Sequence, residues 1–214
     1  MFRNPIAWLF VAIVLVLAAA VWNTAARLPR QLVSQTPPVT SLPVTKLPGQ
    51  VSIFPTDPVR GETGASVTVV EFGDFECPYC AETAVTVEKV ISQSGGKLKL
   101  VWKDFPLPSH SQAQAAAEAA QCAQRQGKFW EYHDALFSKQ DSLNSTTYLS
   151  LAGELGLDFD NFSRCLSSHE TLPLIERNLA EGTAIGVDGT PFFVINGQAV
   201  SGVLTEDQLR SLVE

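Results

Sequence analysis

Two of the four cysteines in this 214-residue chain stand three positions apart, in the stretch EFGDFECPYC from Glu71 to Cys80. Thiols at that spacing form a redox pair, half of a metal site or a static bridge. A zinc site needs further ligands, and the sequence holds neither a second C-x-x-C nor an H-x-x-x-H. Redox chemistry needs a thiolate, so Cys77 must sit where negative charge is favoured. Directly after a buried strand it falls at a helix N-terminus, whose unpaired N–H groups and dipole supply that setting. Pro78 takes the first helical position, where a missing N–H costs nothing. Cys80, one turn on, shares the helix face and lies within disulfide reach of Cys77. In such a pair the exposed N-terminal sulfur attacks or is attacked, and the more buried Cys80 resolves the mixed disulfide. Glu71 ends an otherwise apolar strand. Buried there, it would have a raised pKa and could pass a proton to or from Cys80; at an exposed strand end it is an ordinary carboxylate. Lys103 is a candidate partner for it across the sheet. Glu76 and Glu82, flanking the motif, read as solvated.

The elements that must position these groups follow from pattern. SVTVVEF (66–72) is apolar on both faces, as a buried central strand is. A helix from Cys77 to about Gln93 ends at Gly95-Gly96, and KLKLVWKDF alternates like a second strand. From 111 to about 168 the pattern is helical. Phe129, Trp130, His133, Leu136 and Phe137 mark one face, a helix covers about 146–155 with Gly156 as its cap, and a short one from Asp158 turns Phe159, Phe162 and Cys165 inward. A helix over 172–185 leads to a strand at Phe192–Ile195, an Asn196-Gly197 hairpin turn, a returning strand to Val200, and a last helix with Thr205 and Gln208 as its capping box. Connectivity alone gives a mixed sheet flanked by helices with a helical insertion. Ahead of it, residues 28–61 carry seven prolines and read as an extended spacer whose end, from about Gln50, packs on the domain as an edge strand. The folded domain is expected over 62–214.

Three stretches in order, VTVVEFGDFECPYC, SQAQAAAEAAQCAQRQGKFWEYHDALF and GVDGTPFFVING, resemble the DsbA-type thiol:disulfide oxidoreductases over about residues 60–214. The resemblance implies an α/β, thioredoxin-like mixed sheet flanked by helices, with an all-helical insertion between the second core strand and the following helix. It implies that Thr190-Pro191 is a cis-proline loop facing the cysteines, where with Pro78 and Tyr79 it would meet the substrate backbone. It places Glu71 as the buried acid beneath the active-site disulfide; the residues themselves offer no phosphate loop or metal cluster, and no cofactor is expected. The implied partners are exported proteins with cysteines and a quinone-linked membrane protein of the DsbB or vitamin-K-epoxide-reductase type. The chain departs from the strongest oxidants of the family, which carry Pro-His between the cysteines where this chain has Pro78-Tyr79. Without an imidazole the thiolate loses a stabilising contact, which leaves a reductase or isomerase as the rival of an oxidase. A rival of another class is a non-enzymatic peptide-binding module, which would need a redox-inert pair.

Cys122 and Cys165 lie on apolar faces of the helical block. Two inert buried thiols are one reading. In an exported protein the even count argues instead for a structural bridge, worth roughly 4 kcal/mol in the chain-entropy model; a second redox pair would lack a C-x-x-C. Among the histidines, His133 reads as core, His169 as a helix-boundary residue, and His110 as a loop or cap residue with the groove as its alternative.

Charge is uneven. Residues 1–60 hold one of the 22 acidic side chains, so 61–214 carry 21 against ten basic ones, which disfavours nucleic acid as a partner. Behind a short basic start, residues 6–22 (IAWLFVAIVLVLAAAVW) are without a strongly polar side chain. They read as a membrane anchor within 1–27, with Trp22 at the interface, or as a signal peptide cut after Ala18-Ala19-Ala20. Either exports the domain, as a monomer, into a compartment where disulfides persist, because the first sixty residues show no dimerisation module.

Overall fold

The computed structural model describes residues 45–47 and 49–213. The anchor or signal segment at 6–22 and most of the spacer lie outside the described residues. Among those described, no helix is long and apolar enough to cross a membrane.

Two parallel strands, β3 (Val67–Gly73) and β4 (Leu98–Asp104), form the centre of the sheet and are joined by α1 (Pro78–Gln93). With β1 (Thr45–Lys46), β2 (Val59–Gly61), β5 (Phe192–Ile195) and β6 (Gln198–Ser201) they make a six-stranded sheet of order β1-β6-β5-β3-β4-β2, antiparallel at every other pairing. Between β4 and α6 (Leu172–Ile185) the chain inserts α2 (Ala113–Gln124), α3 (Phe129–Ser138), a 3₁₀ turn (Gln140–Ser142), α4 (Ser145–Glu154) and α5 (Phe159–Ser167); α7 (Glu206–Arg210) ends the domain. This is a thioredoxin-like fold with a helical insertion.

Alternation along β3 sorts its side chains between two cores. Val67 and Val69 meet Val87 and Val90 of α1 on one face, while Val70 and Phe72 meet Ile185 of α6 on the other. Helices thus cover both faces, which is why β4 is buried at nearly every position instead of alternating between core and solvent. A third cluster lies within the insertion, where Tyr132, Tyr148 and Phe162 bury fully beside Trp102. Each such side chain stabilises the fold by roughly 1.5–3 kcal/mol. Phe159, which the spacing turns inward, is instead 49% exposed at the first position of α5; Phe162 and Cys165 carry the packing of that helix.

The ends of the elements follow local chemistry. Asn144 and Asp158 accept backbone N–H bonds at the starts of α4 and α5, and Thr205 with Gln208 forms the full capping box of α7. The turn between β5 and β6 places Asn196 and Gly197 at φ 51° and 77°, the left-handed pair that a two-residue hairpin requires.

The folded unit begins upstream of Glu62, because β1 and β2 form the two edges of the sheet. The intervening segment is held by Leu47 and Val51, which pack on the core, and by charge. Lys103, with no exposed surface, donates to Ser52 O at 2.8 Å and lies 2.7 Å from Asp57 and 3.0 Å from Glu181. Arg177 reaches Asp57 at 2.7 Å and lies over the Phe54 ring. Lys103 therefore does not pair with Glu71. It is the register partner of Phe72, one position on from Glu71, and so points to the opposite face of the sheet.

Candidate functional site

β3 delivers its last residues to the redox turn. Glu71 is the register partner of Trp102 on β4 and of Phe193 on β5, and it points to the face that α1 covers. It is 1% exposed, and its Oε1 has no hydrogen-bond partner. Burial, with the Cys77 charge adding, pushes its carboxyl from the ordinary 4.5 up to about 8, so it is neutral at pH 7. Gly73, two residues on, is required by space: a Cβ there would stand 2.2 Å from the Trp102 ring.

Cys77 is the N-cap of α1 and Pro78 its first helical residue. The exposed sulfur expected from the motif is not seen: Cys77 is 3% exposed and Cys80 fully buried. The cover comes from the loop before β5, where Thr190-Pro191 is a cis peptide and Cys77 Sγ lies 3.3 Å from Thr190 O. Pro78 and Tyr79 are exposed, Tyr79 to 60%. The Cys77 thiol is lowered from the usual 9.0 to about 5, first by a hydrogen bond from the Cys80 thiol; burial opposes this, and the Thr190 side chain and the N–H groups of Cys80 and Tyr79 reinforce it. Cys80 is pushed well above its usual value by burial, by the bond to Cys77 and by the Glu71 and Cys77 charges. Of the two thiols, one is poised as the thiolate at neutral pH and the other holds its proton beside a protonated carboxyl. That is the division of labour thiol exchange requires.

Sequence reasoning missed the braces around this turn. Asp74, 1% exposed, accepts Glu76 N–H at 2.7 Å and Leu107 N–H at 2.8 Å through its carboxylate, binds His110 Nδ1 at 2.8 Å, and takes Cys77 N–H on its carbonyl at 3.1 Å. Glu76 is not a free solvated acid, since its Oε2 accepts Gln112 N–H at 2.6 Å just before α2. Gln140 Nε2 donates to Phe75 O at 2.9 Å and Cys77 O at 3.0 Å. The signal for Asp74 was an acid at a strand end three residues before a cysteine; Gln140, 63 residues from Cys77, gave none. Away from the site, Cys122 and Cys165 are joined by a disulfide, and His133 is buried among aromatic rings. No group of residues suited to a metal ion occurs among those described.

Fold and site together define a thiol:disulfide oxidoreductase of the DsbA-like kind. The thioredoxin family model matches residues 54–214, and the chain belongs to that family. A thioredoxin-like oxidoreductase from Silicibacter pomeroyi superposes with a TM-score of 0.68 at 33% identity, covering 75% of this chain and 91% of that one. The thiol-disulfide exchange protein alpha-DsbA2 of Wolbachia pipientis gives 0.67 at 25% identity over 74% and 86%. BdbD of Bacillus subtilis shares the fold with a TM-score of 0.67 at 23% identity over 78% and 96%. Among curated relatives, a Na(+)/H(+) antiporter NhaA of Salinispora tropica is 38% identical over 166 residues, which is 75% of this chain and 25% of that protein. An NhaA antiporter of Herminiimonas arsenicoxydans is 36% identical over 158 residues. The chain spans about a quarter of the length of these relatives.

Proposed function

We propose that this protein oxidises cysteine pairs in exported proteins, outside the cytoplasm and close to a membrane. A substrate thiolate attacks Cys77 Sγ of the Cys77–Cys80 disulfide, the S–S bond breaks, and Cys80 leaves as a thiolate that takes a proton from neutral Glu71, which recovers one from solvent. The second substrate thiolate then attacks the substrate sulfur of the mixed disulfide and releases Cys77 as a thiolate. Two electrons pass from substrate to protein, and a quinone-linked membrane partner of the DsbB or vitamin-K-epoxide-reductase type removes them. Thr190 and Pro191 present backbone to the incoming strand, while exposed Pro78 and Tyr79 meet its side chains.

The observation that carries the direction is the place of Cys77 at the N-cap of α1, where the Cys80 thiol and the N–H groups of Cys80 and Tyr79 favour its thiolate and bring the thiol down to about 5. A stabilised thiolate stabilises the reduced form, and so makes the disulfide the stronger oxidant. Membrane proximity is supported by residues 6–22 and by the occurrence of similar domains within chains named as antiporters. A reductase is the second reading, favoured by Tyr79 at the place of the oxidants' histidine. The midpoint potential against glutathione separates them: a value nearer about −120 mV supports the oxidase, and one near about −270 mV the reductase.

A further inference from the structure

The motif lacks an imidazole, but a histidine reaches the redox turn from elsewhere. His110 lies in the loop between β4 and α2, with its side chain 24% exposed, and its Nδ1 stands 2.8 Å from Asp74 Oδ2. Asp74 is fully enclosed. Its carboxylate holds both the redox turn, through Glu76 N–H, and the loop carrying His110, through Leu107 N–H. Its carbonyl accepts the Cys77 N–H. An anion thus lies directly behind the residue that must carry a negative charge, and the cation paired with it is His110.

We propose that His110 is a positioning residue for Cys77: bound to Asp74 as the imidazolium, it offsets the carboxylate behind the redox turn, pins that turn to the loop before α2, and so favours the Cys77 thiolate. This deepens, and rests on, the exchange reading above. The charges that face His110 are Asp74, Glu76 and Cys77, all on the turn after β3. Burial lowers the affinity of His110 for its proton, yet the bond to Asp74 and these three charges outweigh it and raise the pKa above 6.5. With Cys77 at about 5, thiolate and imidazolium coexist between the two titrations. Attraction between them is mutual, so whatever His110 does for Cys77, the Cys77 charge does for His110.

The test uses full-length reduced protein and the thiolate absorbance near 240 nm as a function of pH. His110→Gln keeps a polar contact to Asp74 and removes the charge. Removing a nearby unit charge from a half-screened site shifts a midpoint by about half a unit. The thiolate fraction at pH 5 should then fall about twofold, with the rate of iodoacetamide alkylation at that pH falling alike. An unchanged midpoint overturns the proposal, whatever happens to stability. A wild-type midpoint near 9 would instead overturn the oxidising direction proposed above. A second measurement needs no variant: the His110 ring pKa, followed by NMR in wild type, should be higher in the reduced protein than in the disulfide form, where the thiolate is gone. Equal values in the two states would overturn the proposal independently.

Discussion

Glu71→Gln isolates the buried carboxyl, because glutamine has the shape of the protonated acid and never ionises. In the folded protein Glu71 titrates at about 8 against an ordinary 4.5. Its folded pKa is raised, so between those values the folded state binds a proton that the unfolded chain has lost, and stability falls as pH rises. Reduced Cys77 does the reverse: its folded pKa is about 5 against 9.0, so its contribution grows with pH over that range and is lost as pH falls through 5. From pH 5 to 8 the two cancel in the wild type, since the folded state holds a proton on Glu71 and lacks one on Cys77, and the unfolded chain has the opposite. The variant keeps only the Cys77 gain. Relative to wild type it should gain up to about 1.4 kcal/mol per pH unit, or about 4 kcal/mol between pH 5 and 8, starting from near equality at pH 5. Urea unfolding of both reduced proteins at pH 5, 6, 7 and 8 measures the difference, in which every other titrating group drops out. A pH-independent difference, or a variant that loses ground as pH rises, would refute a buried neutral Glu71.

The same proton count fixes the redox slope. With Cys77 released as a thiolate and Cys80 protonated, reduction takes up one proton per two electrons, so the midpoint potential should fall by about 30 mV per pH unit between pH 5 and 8; about 59 mV would mean that both thiols are protonated. Replacing Cys122 and Cys165 together opens a bridge that spans a sequence separation of 43, and the chain-entropy model gives a loss of about 4 kcal/mol. Exchange activity of that double variant, assayed well below its melting temperature, should stay within about twofold of wild type, as the bridge lies away from the redox turn. Loss of exchange without loss of stability would instead make the second disulfide an electron relay.

What could be read from the sequence is what local chemistry decides. The strand over 66–72, the helix after Cys77, the Asn196-Gly197 turn and the Thr205–Gln208 capping box are each specified by residues within a few positions of one another, and all stand where the pattern put them. Pairing across the chain was less legible. Lys103 looked available to Glu71 because alternation gives faces and not register; one residue of register sends it to Asp57 and Glu181 instead. The edge strand read from about Gln50 onward stands as β2, whereas β1 was hidden because a two-residue strand has no period to detect. Gln140 and His110 reach the redox turn only once the chain beyond β4 folds back over it, and separations of 63 and 36 residues leave no short-range pattern.

The central claim is that Cys77 is the sulfur that exchanges with substrate, while Cys80 forms and re-forms the bond to Cys77. Full-length Cys80→Ser and Cys77→Ser, expressed with export and run on non-reducing gels, test it most directly. Cys80→Ser should accumulate mixed disulfides that reducing agent releases, because the Cys77 thiolate still attacks a disulfide of a partner or substrate, expelling one of its sulfurs as a thiolate, and no Cys80 thiol remains to displace the other from Cys77. Cys77→Ser should trap none, since Cys80 is fully buried and holds its proton. Equal trapping by the two variants, or trapping through Cys80 alone, would contradict the account.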